Sequence, residues 1–205
     1  HAIAVASCFN RDINLIIPEN GFISLKIPST FSRMGTSSTR TTHPHYMKLF
    51  QELLGLIEIP VRLVNPYQFK TKGEMLLECK NQLFVANNLE NTMSCSHPDI
   101  GRMQKEKEAR HCGYCLPCVI RRAAIMRAGM TDKSSYRDNK FTGGRVSKIN
   151  LNSYRLGLRS FNPKYAFMTI QSSGPITSDI INYTDLYVRG VNELKTYLEA
   201  SDDCV

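Results

Sequence analysis

Cys112-Gly113-Tyr114-Cys115-Leu116-Pro117-Cys118-Val119-Ile120-Arg121-Arg122 spaces three cysteines two residues apart in turn, and Cys95 supplies a fourth upstream. Thiolates at such spacing converge on one tetrahedral zinc ion without strain. Gly113 and Pro117 predict tight turns around that metal. Four thiolates leave no open coordination position, so the expected zinc site is structural rather than catalytic. Four thiolates around a dication also leave negative charge uncompensated. Arg121 and Arg122 follow directly and are placed to offset it from outside the ligand shell. A redox or free-thiol cluster is the competing reading, although one disulfide would leave two thiols without a role.

Outward from this segment, composition sets the limits. With 205 residues, 42% of them hydrophobic, the chain buries a real core in one or two domains. No apolar run is long enough to cross a bilayer, so no membrane partner is expected. The opening run, His1 to Cys8, is apolar but short and lacks a basic leader, which makes it a poor signal peptide. It starts without Met, at what reads as the middle of a helix, and further chain is expected upstream. Seven cysteines, four of them clustered, suit a reducing cytoplasm better than a secreted disulfide scaffold. Lysine and arginine outnumber the acids 26 to 18, a formal charge of +8. That excess favours anionic partners such as nucleotides or nucleic acid, or else serves solubility alone.

Upstream of the cysteines the pattern alternates. Ile13 to Ile17 reads as a short strand that ends in Pro18-Glu19-Asn20-Gly21, with Asn-Gly as a turn signal. A hydroxyl-rich loop from Ser29 to Thr42 follows and holds Arg33 and Arg40. Pro44 suits a first helical position. Tyr46, Leu49, Phe50, Leu53 and Leu54 then repeat at helical spacing, which predicts one face on a core. Pro60 to Val64 reads as a second buried strand, closed by Asn65-Pro66. Thr71-Lys72-Gly73-Glu74 matches a capping box, and Met75, Leu76, Cys79 and Leu83 are expected to face inward. Strand, loop, helix, strand, loop, helix is the rhythm of a parallel α/β sheet, here incomplete.

Downstream, Arg102 to Arg110 reads as a solvated insertion between ligands. Val119 to Met126 predicts a helix with Gly129 beyond its end. Ser134 to Arg145 reads as a mobile loop and Tyr165 to Ile170 as a strand. Tyr183, Tyr187, Val191, Leu194 and Leu198 form a helical stripe expected to pack in a core.

Ligands of open parallel sheets bind at the carboxyl ends of the strands. Glu19 through Arg40 and Pro66 through Lys72 are expected there. Lys72 falls in a first helical turn, where the macrodipole disfavours a cation unless a phosphate is bound, so it is either a phosphate ligand or an exposed lysine. Arg40 offers a bidentate fork for phosphate or carboxylate, or lies on a plain surface connection. His43 and His45, flanking Pro44, suit general bases, extra metal ligands, or capping and surface roles.

These residues together resemble a known family. The order is a loop ending in Arg40, then Asn65-Pro66 with Thr71-Lys72-Gly73-Glu74, then Thr92-Met93-Ser94-Cys95, then Cys112-Gly-x-Cys115-x-x-Cys118-x-x-Arg121. It resembles the 7-cyano-7-deazaguanine synthases of the queuosine pathway, ATP pyrophosphatases of the adenine-nucleotide alpha-hydrolase fold. The long form, with Ser-Thr-Arg-Thr-Thr-His-Pro and His-Cys-Gly-Tyr-Cys, looks closest to the synthase-like component of the Qat anti-phage system. The resemblance covers roughly residues 1 to 128. The family's Ser-Gly-Gly-x-Asp-Ser pyrophosphate loop is absent, and the acidic substrate loop is replaced by Phe22 to Ser38.

The resemblance implies an incomplete Rossmann-like α/β fold: residues 1–92 as the C-terminal part of a nucleotide-binding domain, 93–129 as a zinc segment and 130–205 as a mainly helical region. It implies structural zinc on Cys95, Cys112, Cys115 and Cys118, with ATP and Mg²⁺ in the complete protein. It implies adenylation of the carboxylate of 7-carboxy-7-deazaguanine, then amidation to a nitrile or transfer to a protein partner in defence. Lys72 and Arg40 would be catalytic, and Glu19, Asn20, Gly21 and Arg33 would join them in binding substrate or nucleotide. A phosphate-loop portion would be supplied from upstream. The reading from another class is a non-catalytic zinc module that binds nucleic acid or a protein.

Overall fold

The computed structural model describes residues 1–9, 11–27, 41–101 and 108–202. Arg33 and Arg40 lie outside the described residues, as do most of the hydroxyl-rich loop and most of the insertion after Gly101. In chain order the elements are α1 (Ala2–Ser7), β1 (Ile13–Ile16), α2 (Gly21–Ser24), α3 (Pro44–Leu56), β2 (Val61–Val64), α4 (Lys72–Leu77), α5 (Gln82–Asn88), α6 (Leu116–Arg127), α7 (Arg145–Ser160), α8 (Ala166–Gln171) and α9 (Ile180–Asp202). They form two units. One contains the described residues up to 71 together with 162–188; the other contains 72–161 with 189–202.

The first unit holds the sheet. Strands β1 and β2 run parallel, in register from Ile13↔Val61 to Ile16↔Val64, as the α/β rhythm predicts. Parallel strands need a crossover, and α2 and α3 lie in that connection. The outer edge of β2 is closed by a side chain of α3: the Gln51 amide donates to the Val61 carbonyl at 3.1 Å, and its carbonyl accepts from the Leu63 amide at 2.7 Å. Ala6, Leu54 and Val61 are buried beneath, with Phe50, Ile13 and Leu63 packed around them. The expected stripe on α3 is therefore only half used. Tyr46, Leu49 and Leu53 stay exposed, because two strands are too narrow to cover the whole apolar face. A second cluster in this unit joins Leu25, Ile170, Ile176, Tyr183 and Leu186.

Two local expectations here are corrected. Asn20-Gly21 is not a turn but a helix start: the Asn20 side chain accepts from the Ile23 amide at 2.9 Å, an N-cap bond that satisfies an otherwise orphaned donor. Tyr165 to Ile170 is not a strand. Asn162 caps a short turn into α8, and Ala166 and Ile170, four apart, are its buried residues. The capping role of His43 is realised, since its ring accepts from the His45 amide at 3.2 Å with Pro44 opening the helix. His43 is buried rather than at the surface and meets Ser173 Oγ at 3.1 Å.

The second unit is helical. Val119, Ala123, Phe141, Tyr154, Tyr197 and Leu198 form its core, with Leu116, Leu151, Leu158 and Leu194 around them. The α9 stripe thus packs in cores, as its spacing predicts. Gly73 brings α4 against α6 and α9: a Cβ there would lie 2.7 Å from Arg127 Cδ and 2.9 Å from Glu193 Oε1. Next to it, Glu74 pairs with Arg189 at 2.8 Å and Arg127 at 3.5 Å. The helix that begins at Lys72 does not continue through Leu83, which is exposed. The Gln82 amide donates to the carbonyls of Leu76, Leu77 and Cys79, and Asn81 caps α5, so the chain closes one helix and opens another. Helix α6 stops as predicted: Gly129, at φ +64, donates to Met126 and Met130 donates to Ile125, the paired bonds of a Schellman end. Among the described residues, no helix is long and apolar enough to cross a membrane.

Gly21 tests the first unit. A Cβ there would stand 1.9 Å from the Gln68 carbonyl oxygen, which is backbone and cannot swing away. Gly21→Ala is expected to destabilise the protein by about 1–3 kcal/mol, read as a lower urea midpoint. An unchanged midpoint would contradict this packing.

Candidate metal centre

The four cysteines meet in the second unit. The Sγ atoms of Cys95, Cys112, Cys115 and Cys118 all lie within 4.8 Å of one another. Cys112 and Cys118 stand 3.9 Å apart, as do Cys115 and Cys95. A tetrahedral zinc ion with its usual bond to sulfur separates its ligands by about 3.8 Å. A disulfide needs about 2 Å, and no described cysteine is in one. The donor set therefore fits zinc, as the spacing predicts. Cys112, Cys115 and Cys118 are buried and Cys95 is half-buried.

The local chain explains the convergence. Gly113 takes φ +91, a turn that L side chains rarely adopt. Cys115 then stands at the N-cap of α6, and Cys118 sits in its first turn. The positive end of the helix dipole is thereby aimed at two of the sulfurs. Pro117 lies inside that first turn, not in a separate loop turn, because its missing N–H costs nothing there.

The thiolate charge is met by backbone amides. Cys95 Sγ accepts from the amides of His97 at 3.3 Å and Cys112 at 3.2 Å. Cys112 Sγ accepts from Cys115 at 3.3 Å, and Cys115 Sγ from Ser96 at 3.4 Å. The two arms of the segment thus exchange N–H···S bonds.

The arginines expected to do this work are occupied elsewhere. Arg121 is buried, and its guanidinium donates to Thr92 Oγ1, to the Leu89 carbonyl and to Ser134 Oγ. It braces the chain leading into Cys95 and does not touch a sulfur. Arg122 donates to the Asn139 carbonyl and lies 5.1 Å from the ring centres of both Tyr136 and Tyr197.

His111, beside Cys112, was not singled out from sequence, although its adjacency to a ligand is a usable signal. Its Nε2 lies 3.2 Å from the Thr92 carbonyl, which can only accept, so Nε2 carries the proton. Burial, with Arg121 nearby, holds its pKa down and favours the neutral ring. His111 also lines a cleft of about 480 Å³ with Glu90, Glu108, Arg110, Lys133 and Ser135.

Lys72 opens α4, as expected, and its Nζ donates to Ser94 Oγ at 3.0 Å, one residue before Cys95. Glu19, Asn20 and Gly21 belong to the first unit and sit past the carboxyl end of β1. The Glu19 carbonyl accepts from the Asn65 side-chain amide, and the Gly21 N–H donates to the Tyr67 and Lys70 carbonyls in the chain after β2. The loops that follow both strands therefore meet there. His43 and His45 are helix-capping neighbours in that unit and are not among the metal-binding cluster.

A small parallel α/β unit and a four-cysteine cluster suited to zinc define the class. Residues 30–129 match the family described as queuosine biosynthesis protein QueC. The chain is also 36% identical over 81 residues to 7-cyano-7-deazaguanine synthase 1 of Mesorhizobium japonicum, covering 40% of this chain and 30% of that protein. No solved structure matches.

The thiols divide unequally as acids. Hydrogen bonding with Cys115 pushes Cys112 up to about 12, and bonding with Cys112 pushes Cys118 up as well. Cys115 is held far below its ordinary value by the hydrogen bonds it accepts, first from Cys112. Two thiols thus stay protonated at neutral pH, and zinc must displace their protons. Apparent zinc affinity should rise at least about tenfold per pH unit between pH 6 and 8, measured by competition with a chelator of known pH dependence. A pH-independent affinity would contradict the four-thiolate site.

Proposed function

We propose that this chain is the zinc-carrying part of an ATP-dependent 7-cyano-7-deazaguanine synthase-type enzyme. The observation that carries the reading is the four-sulfur centre lying inside the stretch that matches the family. The matched stretch spans about a third of the curated relative's length, so the rest of the catalytic apparatus belongs to the complete protein.

The chemistry is activation of a carboxylate. The carboxylate of 7-carboxy-7-deazaguanine attacks the α-phosphate of ATP and pyrophosphate leaves. Ammonia then displaces AMP to give an amide, and a second activation dehydrates that amide to the nitrile. The zinc contributes no bond making in this scheme; held by Cys95, Cys112, Cys115 and Cys118, it fixes the fold around the cleft. ATP and Mg²⁺ bind in the complete protein.

The cleft suits such a substrate. Its volume falls in the range of small-molecule sites. Glu90 and Glu108 offer acceptors for the N–H edge of a guanine-like ring, while Arg110 and Lys133 offer cations for a carboxylate. Met93 lines the same cleft and precedes Ser94, the residue that Lys72 holds. Lys72 then stabilises charge developing on the phosphates as the adenylate forms. Arg40 and Arg33 take phosphate or substrate, and Glu19 to Gly21 shape the carboxyl edge of the sheet.

The test is product mass spectrometry on the complete protein with ATP, Mg²⁺, 7-carboxy-7-deazaguanine and ammonium. AMP with free amide or nitrile supports the reading. AMP without a free product moves the activated group to a macromolecular acceptor, the possibility that the defence-system resemblance raises. No nucleotide turnover, with steeply salt-dependent nucleic-acid binding, would replace the enzyme by a binding module. In the same assay Lys72→Ala is expected to lower kcat by about a hundredfold or more with zinc content unchanged; wild-type turnover would remove Lys72 from the mechanism.

A further inference from the structure

The segment after α6, read from sequence as a mobile loop, is tied to the metal centre at successive residues. Ser135 Oγ accepts from the Arg110 guanidinium at 3.1 and 2.7 Å. Tyr136 pairs with His111 in a parallel bridge. The Arg137 amide donates to the His111 carbonyl at 2.9 Å, and the Asp138 amide donates to the Cys112 carbonyl at 3.2 Å. The Arg137 guanidinium reaches the Arg110 carbonyl at 2.9 Å and the Pro98 carbonyl at 3.3 Å, so it holds both arms of the cysteine segment.

Asp138 organises this clasp. Its buried carboxylate accepts from the amides of Lys140 at 3.3 Å, Thr142 at 3.0 Å and Gly143 at 2.8 Å, and from the Ser147 hydroxyl. Those bonds fold residues 138–147 into one turn and so fix where the Asp138 backbone stands. The backbone in turn presses on Gly113: a Cβ at 113 would lie 2.0 Å from the Asp138 carbonyl oxygen.

The Cys112–Gly113 peptide is the link to the metal. A trans peptide is a rigid unit whose C=O and N–H point in opposite directions within one plane. The Asp138 amide grips its C=O, and Gly113, on the other side of the bond, turns at φ +91 against the Asp138 carbonyl. Holding this rigid unit fixes the turn that leads from Cys112 to Cys115. Asp138 itself lies beyond the stretch shared with the family, which ends at residue 129.

We propose that Asp138 is a positioning residue of the metal centre: its carboxylate orders the 138–147 turn, which holds the Cys112–Gly113 peptide, and with it the turn between Cys112 and Cys115, and slows release of the metal. This rests on the four cysteines holding zinc. It predicts a contribution from outside the ligand shell, of the kind whose loss commonly weakens metal sites by about 10–100-fold.

The experiment follows zinc release from the full chain to an excess of a chromogenic chelator, with the absorption spectrum of the cobalt-substituted protein as a second readout. Asp138→Ala is expected to release zinc about tenfold or more faster and to shift the sulfur-to-cobalt charge-transfer bands, while the helical circular dichroism is kept. Should Asp138→Ala fail to fold, Ser147→Ala and Asp138→Asn carry the test, because each removes only part of the hydrogen bonding at the Asp138 side chain; both should release zinc faster than wild type. Release at the wild-type rate with an unchanged cobalt spectrum in the folded variants overturns the proposal. Failure of the wild-type chain to bind zinc stoichiometrically overturns the metal reading itself and the proposal with it.

Discussion

Four sulfur atoms held within 4.8 Å of one another concentrate negative charge once a metal has displaced their protons, and the surrounding chain must answer it. A buried anion left without donors is costly. The answer here is local and comes from the backbone: amides of Ser96, His97, Cys112 and Cys115 donate to the sulfurs, and the N-terminus of α6 faces two of them. Such donors are supplied by the turn geometry itself. They hold the sulfurs at distances that one zinc ion would bridge, and such a bridge would link the arm around Cys95 to the arm around Cys112.

The arginines serve the next layer. Arg121 gathers Leu89, Thr92 and Ser134, which places the chain before Cys95 and the chain after α6 around one buried guanidinium. Lys72 holds Ser94 from the start of α4, and Gly73 lets α4 close on α6. A lysine is thereby fixed to the residue that precedes Cys95. The cysteine cluster and this lysine share a scaffold, and under the proposed function a structural metal would matter to the reaction through it.

Much of this was legible in the chain because it depends on near neighbours. The cysteine spacing, Pro44 at a helix start, Gly129 at a helix end and the two short strands are set by a few adjacent residues. What escaped depends on distant ones. The exposure of Tyr46, Leu49 and Leu53 follows from the width of the sheet, which no local pattern states. The break after α4 turns on Gln82 folding back onto three carbonyls, and amphipathic spacing alone reads through it. Arg121 and Arg122 were assigned to the sulfurs because they stand next to them in sequence. Their reach instead takes them to Leu89 and Asn139. Ser134 to Arg145 lacks hydrophobic periodicity and so reads as loose, yet its order comes from polar bonds to Asp138 and to the cysteine segment, which hydrophobic patterning does not register.

The most direct test of the account is X-ray absorption at the zinc edge on the purified chain, with metal content measured on the same sample. The account predicts one zinc per chain in a shell of four sulfurs at about 2.3 Å. A shell containing nitrogen or oxygen, or a chain that retains no zinc, would contradict it.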